Sequence, residues 1–237
     1  MKDTASGFCY VNDIVIGILK LLSSGYTKVL YVDFDLHHGD GVESAFRHSN
    51  KVFTLSFHKY EIGFFPGTGS IDEIGPDRSK GRGYTMNVPL RGGIGDDNYI
   101  SLTSQVLTKV IDKIQPQIIV AQFGAGGLIS DPMNSFNLTP KSLIRSFQLL
   151  KATSIPLIAL GGGGYNVPNT ARCLTLLTSN ALGIDVENDI PDSDPFFLTY
   201  SPSYELDIDP GFRKDENSSL ELHGLLEKIS ENLNLIS

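Results

Sequence analysis

The segment KVLYVDFDLHHGD, residues 28–40, joins an apolar run to a dense group of ionisable side chains. Lys28 to Asp35 has the β-branched and aromatic content of a buried strand. Three carboxylates and two imidazoles fall within residues 33–40, although the whole chain has only five histidines. Unpaired charge is costly to bury, so these groups need a partner where the strand ends. The segment predicts a core strand that leads directly into a functional site.

The rest of the chain alternates apolar runs with amphipathic segments. Further strands are predicted at 52–57, 84–90, 118–123 and 155–160. Helices are predicted at 12–22, 96–113, 139–151 and 166–182, with one more at the end of the chain. This alternation is typical of an α/β fold, a parallel sheet flanked by helices, and the length predicts a single domain spanning residues 1–237. Such sheets place their sites at the carboxyl ends of the strands.

The composition limits the kinds of partner. The formal net charge is −8 and the pI is about 5.0, which suits a lysine-rich tail better than nucleic acid, so no direct DNA binding is expected. Solubility explains the acidity equally well. Two cysteines do not make a disulfide framework, and the apolar run 14–22 is too short to span a bilayer and contains Lys20. We expect an intracellular protein that makes no contact with a membrane.

The residue types after the first strand favour a metal site. Strand periodicity places Asp33, Asp35 and His37 on one face, with the last two about 7 Å apart along the backbone. Zn²⁺ accepts carboxylate oxygen and imidazole nitrogen at about 2.0–2.2 Å, and Asp40 could orient an imidazole. The alternative is that these acids cap backbone N–H groups in glycine-rich turns.

Two other loops carry candidate site residues. GGGGYN (161–166) follows a predicted strand, and no Lys-Ser/Thr pair follows it, which argues against a phosphate-binding loop. The Tyr165 hydroxyl either polarises a carbonyl as a hydrogen-bond donor or belongs to an aromatic packed at the rim. GFFPGTGS (63–70) displays Phe64 and Phe65, which either wall an apolar channel or pack in the core.

Five segments follow one another along the chain in a distinctive order: SGFCYVND (6–13), YVDFDLHHGDGVESAF (31–46), FFPGTGS (64–70), FNLTP (136–140) and LGGGGYN with TARC (160–173). Together they resemble the zinc-dependent class I histone deacetylases. DPM (131–133) and IPDSDPFF (190–197) are most similar to the histone deacetylase eight subtype. The resemblance implies an arginase/deacetylase-like fold, with a three-layer, mostly parallel sheet flanked by helices, and hydrolysis of acetyl-lysine amides.

The resemblance also implies roles for individual residues. Asp35 and His37 correspond to two of three zinc ligands, and Tyr165 to the residue that stabilises the oxyanion. The implied potassium site uses Asp33 and Ser56. The implied substrate-binding residues, which form the acetyl-lysine tunnel, are Gly7, Phe8, Phe65 and Met133. The implied partners are acetylated histone tails, other acetyl-lysine proteins and a corepressor complex, in the nucleus and cytoplasm.

Two departures from the family pattern bear on activity. The family has a His-His pair that includes its general base shortly before SGFCY, and the family's first strands and helices precede it. Because the sequence given starts at Met1, we expect an N-terminally truncated domain. The family's third zinc ligand is an Asp in a GAD motif, which here is Gly124-Ala125-Gly126. Catalytic zinc usually has three protein ligands, so we expect impaired hydrolysis. The alternatives are an inactive relative that binds acetyl-lysine or a partner, and a hydrolase of small amides.

Overall fold

The computed structural model describes residues 4–236, which form five strands and six α-helices. The strands are β1 (Val29–Asp33), β2 (Val52–Lys59), β3 (Thr85–Leu90), β4 (Ile118–Gln122) and β5 (Leu157–Leu160). The helices are α1 (Asp13–Ser23), α2 (Asp40–Phe46), α3 (Asp96–Ile114), α4 (Pro140–Ala152), α5 (Val167–Leu182) and α6 (Ser219–Leu233), with a short 3-10 helix at Phe197–Tyr200. No helix within residues 4–236 is long and apolar enough to cross a membrane.

The strands form one sheet in the order β3-β2-β1-β4-β5, and every pair is parallel. Alternate residues of the central strand face different helices. Val29 and Tyr31 pack with α1 and α2, whereas Leu30 and Val32 pack with α3, α4, α5 and α6. All five residues of β1 are buried. The predicted α/β class and its three layers are confirmed.

Side-chain caps begin several of the helices where the sequence predicted them. The Asn12 side chain accepts a hydrogen bond from the N–H of Val15 at the start of α1. Thr139 caps α4, whose first residue is proline. Asp96, the first residue of α3, does not cap the helix, whose N-cap residue is Gly95. Its carboxylate instead accepts from the N–H of Thr139 at 2.9 Å and so joins the starts of α3 and α4.

The central strand ends two residues earlier than predicted, at Asp33. Oδ1 of Asp33 accepts from the N–H of Asp35 at 2.9 Å, and Oδ1 of Asp35 accepts from the N–H of His37 at 3.0 Å. Two successive turns of this kind draw the chain out of the extended conformation. The helix α2 that follows was not predicted, because it is seven residues long and begins after Gly39, which has no capping side chain.

One edge of the sheet is formed by β5, the least buried strand. Both middle residues of β5 are exposed, and Ile158 keeps 39% of its surface accessible. Among residues 4–236, only β4 pairs with it. The helices on the two faces of the sheet therefore do not cover the outer edge of β5.

Candidate active site

The loops at the carboxyl ends of the strands converge on the end of β1. The N–H of Gly163, in the loop after β5, donates to Oδ2 of Asp35 at 2.8 Å. Phe64, in the loop after β2, stacks on the His37 ring with 5.1 Å between centroids. The segment before α1 reaches the same place, since the Phe8 and Tyr165 rings lie 5.7 Å apart. The parallel sheet thus brings together the predicted site residues from distant parts of the sequence.

Asp35 and His37 form the centre of this site. Asp35 is buried, and its Oδ1 lies 3.5 Å from Nδ1 of His37. The backbone fixes the carboxylate on both sides, because Oδ1 accepts from the N–H of His37 and Oδ2 from the N–H of Gly163. The pair therefore offers one carboxylate and one imidazole nitrogen to a common point, which makes two ligands for a cation.

Position 126 faces this pair but supplies no side chain. A Cβ built on Gly126 would lie 4.0 Å from Oδ1 of Asp35 and 3.4 Å from Cβ of Leu36, which are ordinary contacts. At Gly124, by contrast, it would come within 1.8 Å of Oδ2 of Asp35. Residues 4–236 contain no group of three or more His, Cys, Asp or Glu that could hold a metal ion. The residues present therefore do not fit a catalytic zinc with three protein ligands, although the backbone leaves room for the third.

Asp131 does not complete the metal site, because it belongs to no group of three or more His, Cys, Asp or Glu within residues 4–236; backbone groups engage both of its oxygens. Oδ1 accepts from the N–H of Met133 at 2.9 Å, and Oδ2 accepts from the N–H of Tyr165 at 2.7 Å and of Asn166 at 3.3 Å. The carboxylate, in a residue only 3% exposed, joins the loop after β4 to the loop after β5. It fixes the backbone of two predicted site residues. No sequence pattern predicted these contacts, since the donors are up to 35 residues away.

Asp33 and Ser56 occupy paired positions on β1 and β2. The Tyr31 hydroxyl donates to Oδ2 of Asp33 at 2.7 Å, and the Ser56 hydroxyl accepts from the N–H of Gly39 at 3.3 Å. Burial, followed by the negative charge of Asp35, raises the pKa of Asp33 to about 7. Two neighbouring buried carboxylates make the local potential negative, which favours a bound cation.

The predicted tunnel residues lie beside the Asp35–His37 pair. The Phe65 ring lies 5.9 Å from the His37 ring, and a Cβ on Gly7 would lie 3.3 Å from Phe65. Gly7 has φ of +56°, a conformation that favours glycine, and its carbonyl oxygen lies 3.5 Å from Sγ of Cys9. The aromatic and thioether side chains of this group are at least partly exposed: Phe8, Phe65, Met133 and Tyr165.

The Tyr165 hydroxyl keeps its proton in this setting. Partial burial, then the negative charges of Asp35 and Asp131, raise the pKa of Tyr165. A neutral hydroxyl can donate a hydrogen bond to a carbonyl oxygen at the mouth of the tunnel. The arrangement thus combines an apolar rim, one hydroxyl donor and two ligands for a cation.

A buried polar network that the sequence analysis missed lies below the site. His38 contacts Oγ1 of Thr68 through Nδ1 and Oε2 of Glu43 through Nε2, both at 2.8 Å. Its ring lies 4.6 Å from that of His58, whose pKa is lowered to about 3 by burial and then by His38. The network ties the loop carrying Phe65 to the end of β1. The second histidine of the HH doublet was its only sequence signal.

Comparisons with known proteins agree with the geometry. The family described as the histone deacetylase domain matches residues 1–181. Histone deacetylase 8 of Xenopus laevis is 48% identical over 232 residues, covering 98% of this chain and 70% of the relative. The Danio rerio protein of that name is 47% identical, with coverages of 98% and 60%. Histone deacetylase 1 of Homo sapiens is 42% identical over 235 residues, covering 99% of this chain and 48% of the relative. The chain thus spans 48–70% of the length of these relatives.

Proposed function

The chain belongs to the histone deacetylase family, and from that premise we propose that it carries the acetyl-lysine site of a zinc-dependent protein lysine deacetylase whose hydrolytic step is impaired at Gly126. The observation that carries the proposal is the geometry of this position. A side chain at 126 fits the backbone and would face Asp35, yet glycine supplies no ligand.

The residues of this chain bind and orient the amide. Phe8 and Phe65 enclose the methylene stem of acetyl-lysine, and the carbonyl of Gly7 accepts the N–H of its amide. The Tyr165 hydroxyl donates to the carbonyl oxygen. Asp35 and His37 would hold a zinc ion together with a third ligand at position 126, and the ion would supply Lewis-acid polarisation of a carbonyl and activation of water. These groups retain binding of the acetyl-lysine. Hydrolysis is slow because the described residues provide only two zinc ligands.

The proposal extends to the cation and the partners. A potassium ion at Asp33 and Ser56 is supported by the two neighbouring buried carboxylates. The partners we propose are those that the resemblance to histone deacetylases implies: acetylated histone tails, other acetyl-lysine proteins and a corepressor complex. The corresponding locations are the nucleus and the cytoplasm.

A second candidate function is a binding module that recognises acetyl-lysine or a partner without hydrolysing it. The same observation favours it, because the tunnel aromatics and Tyr165 are in place around an incomplete metal site. The two candidates differ in whether residual hydrolysis exists and whether one ligand restores it.

The test joins the family's N-terminal segment, with its His-His pair, to the chain and compares this protein with its Gly126→Asp and Gly126→Asn variants in saturating zinc, on a peptide containing acetyl-lysine. Asparagine matches aspartate in shape but lacks its charge. We expect Gly126→Asp to hydrolyse the peptide at least about 10²-fold faster than the other two proteins. All three should bind acetylated peptide more tightly than the unmodified peptide.

Three results separate the possibilities. Wild-type hydrolysis as fast as that of Gly126→Asp would show that the chain is not impaired. Acetyl-selective binding without hydrolysis in any variant would support the binding module. Equal affinity for acetylated and unmodified peptide would overturn both candidates.

A further inference from the structure

The amino ends of the strands, opposite the candidate active site, carry a concentration of basic side chains. We call this region the basic end, and its members are Lys28, Arg47, Lys51, Arg78, Lys80 and Lys113. All six are exposed, and none forms an ion pair with another residue of the range 4–236. They make up 6 of the 19 Lys and Arg residues in a chain of net charge −8.

The sheet places the lysines of this region side by side. Lys28 directly precedes β1 and Lys51 directly precedes β2, and these strands begin at the paired residues Val29 and Val52. Their backbones are therefore about one strand spacing apart, roughly 4.8 Å. Lys113, in the last turn of α3, reaches the same place, and the three lysines line a cavity of about 100 Å³.

The loop before β3 carries Arg78 and Lys80 and leads into Tyr84, which lines the cavity. It is held against the connection between α2 and β2, since the Ser79 hydroxyl lies 3.4 Å from Nδ1 of His48. Gly81 packs on the carbonyl of Arg47, where a Cβ would come within 2.3 Å of the oxygen. The carboxylate of Asp77 in this loop is already paired with an arginine. Residues 71–84 hold three acidic and three basic side chains, so the loop is neutral as a whole and the positive charge at the cavity comes from its three lysines.

Three like charges around one cavity repel each other, and an anion between them relieves the repulsion. The free carbonyl groups at the end of α3 stabilise the charge of Lys113 without any ligand. Lys28 and Lys51 belong to no helix, so no helix dipole stabilises their charges. A cavity of about 100 Å³ has the volume of about three waters, at roughly 30 Å³ each, which is enough for one tetrahedral oxyanion.

We propose that the basic end binds a phosphate group of a small ligand in the cavity between Lys28, Lys51 and Lys113. The net charge of −8 repels a long polyanion, so a small ligand is favoured over nucleic acid. The site lies at the opposite end of the strands from Asp35, and it does not depend on the proposed deacetylase function.

The test measures melting temperature in inorganic phosphate against chloride at equal ionic strength. The variant carries Lys28→Gln, Lys51→Gln and Lys113→Gln, all at exposed positions where substitution leaves the fold intact. A matched control carries Lys20→Gln, Lys141→Gln and Lys214→Gln, which remove the same charge elsewhere. At phosphate about ten times its dissociation constant, we expect the wild type and the control to melt about 3–6 °C higher than in chloride, and the cavity variant to show no such increase.

Two outcomes would overturn the proposal. An equal shift in all three proteins, or none in the wild type, would mean that phosphate has no site between these lysines. Binding of a short DNA duplex that the cavity variant loses, with no response to inorganic phosphate, would assign the basic end to a nucleic-acid backbone instead.

Discussion

Replacing Gly126 with aspartate should destabilise the chain without zinc, and zinc should offset that loss. The new carboxylate would sit near that of Asp35, because the Cβ of residue 126 lies 4.0 Å from Oδ1. Two like charges about 4 Å apart repel by about 4 kcal/mol at an effective dielectric constant of about 20. Rotation or partial protonation of the aspartate reduces this, so we expect a loss of about 2–4 kcal/mol, or roughly 4–16 °C in melting temperature.

Zinc should bring the variant back to about the stability of the wild type. Structural zinc sites bind with about 10–16 kcal/mol, or about 2.5–4 kcal/mol for each of four ligands. A third ligand at 126 should therefore tighten zinc binding by about 10²–10³-fold. At free zinc about 1,000 times its dissociation constant, the variant gains about 4 kcal/mol, which offsets the repulsion.

The assay is thermal unfolding in a chelator and in buffered zinc, together with chelator competition for the dissociation constant. Gly126→Asn is the control, since it adds the same volume without the charge. If the two variants melt alike in chelator, the side chain at 126 does not face Asp35. If zinc stabilises the wild type as much as Gly126→Asp, another group completes the site and the reasoning is wrong.

Three further substitutions test the surroundings of the site. Asp131→Asn should lower the free energy of unfolding by about 1.5–3 kcal/mol and speed amide exchange at Tyr165, because charge-assisted bonds to the backbone are lost; unchanged exchange would contradict a positioning role. The pKa of His58 is lowered to about 3, so near pH 6.5 the unfolded chain binds a proton at this residue and the native chain does not. The free energy of unfolding should therefore fall by about 1.4 kcal/mol per pH unit as the pH drops below about 6. The raised pKa of Asp33 has the opposite effect on stability, but it is present in both the wild type and the His58→Asn variant. The unfolding free energies of these two proteins, measured with denaturant between pH 7 and pH 5, should therefore diverge. Parallel curves would refute the low pKa of His58. Arg172→Lys should release the backbone that its guanidinium holds through the carbonyls at 200 and 205, which limited proteolysis would detect as faster cleavage there; unchanged cleavage would show that these bonds do not hold the segment.

The parallel sheet was predictable because its strands are continuous apolar runs, and such a run indicates a strand that is buried on both faces. Where each strand stops was less predictable. The end of β1 depends on two local bonds from Asp33 and Asp35 to the backbone, which compete with the extended conformation. The short helix α2 was missed since its start lacks a side-chain cap.

The residues of the candidate site were predictable from their chemistry and position, but the residues that hold them in place were not. The Asp35 and His37 positions follow from the strand and the loop that carries them. Asp131 and His38 act through partners 30 to 35 residues away, and no periodicity of the sequence encodes such contacts. The importance of Gly126 came from the expected motif, but only the structure shows that its backbone accepts a side chain.

The open side of β5 has a consequence for handling the protein in solution. An exposed strand edge is a template for pairing with another chain, and here it displays an apolar side chain, Ile158. Mutual repulsion between molecules of net charge −8 opposes such pairing, and salt screens that repulsion over distances beyond about 10 Å at 0.1 M. Self-association should therefore increase with both protein concentration and ionic strength, and Ile158→Lys, which places a charge on the edge, should suppress it.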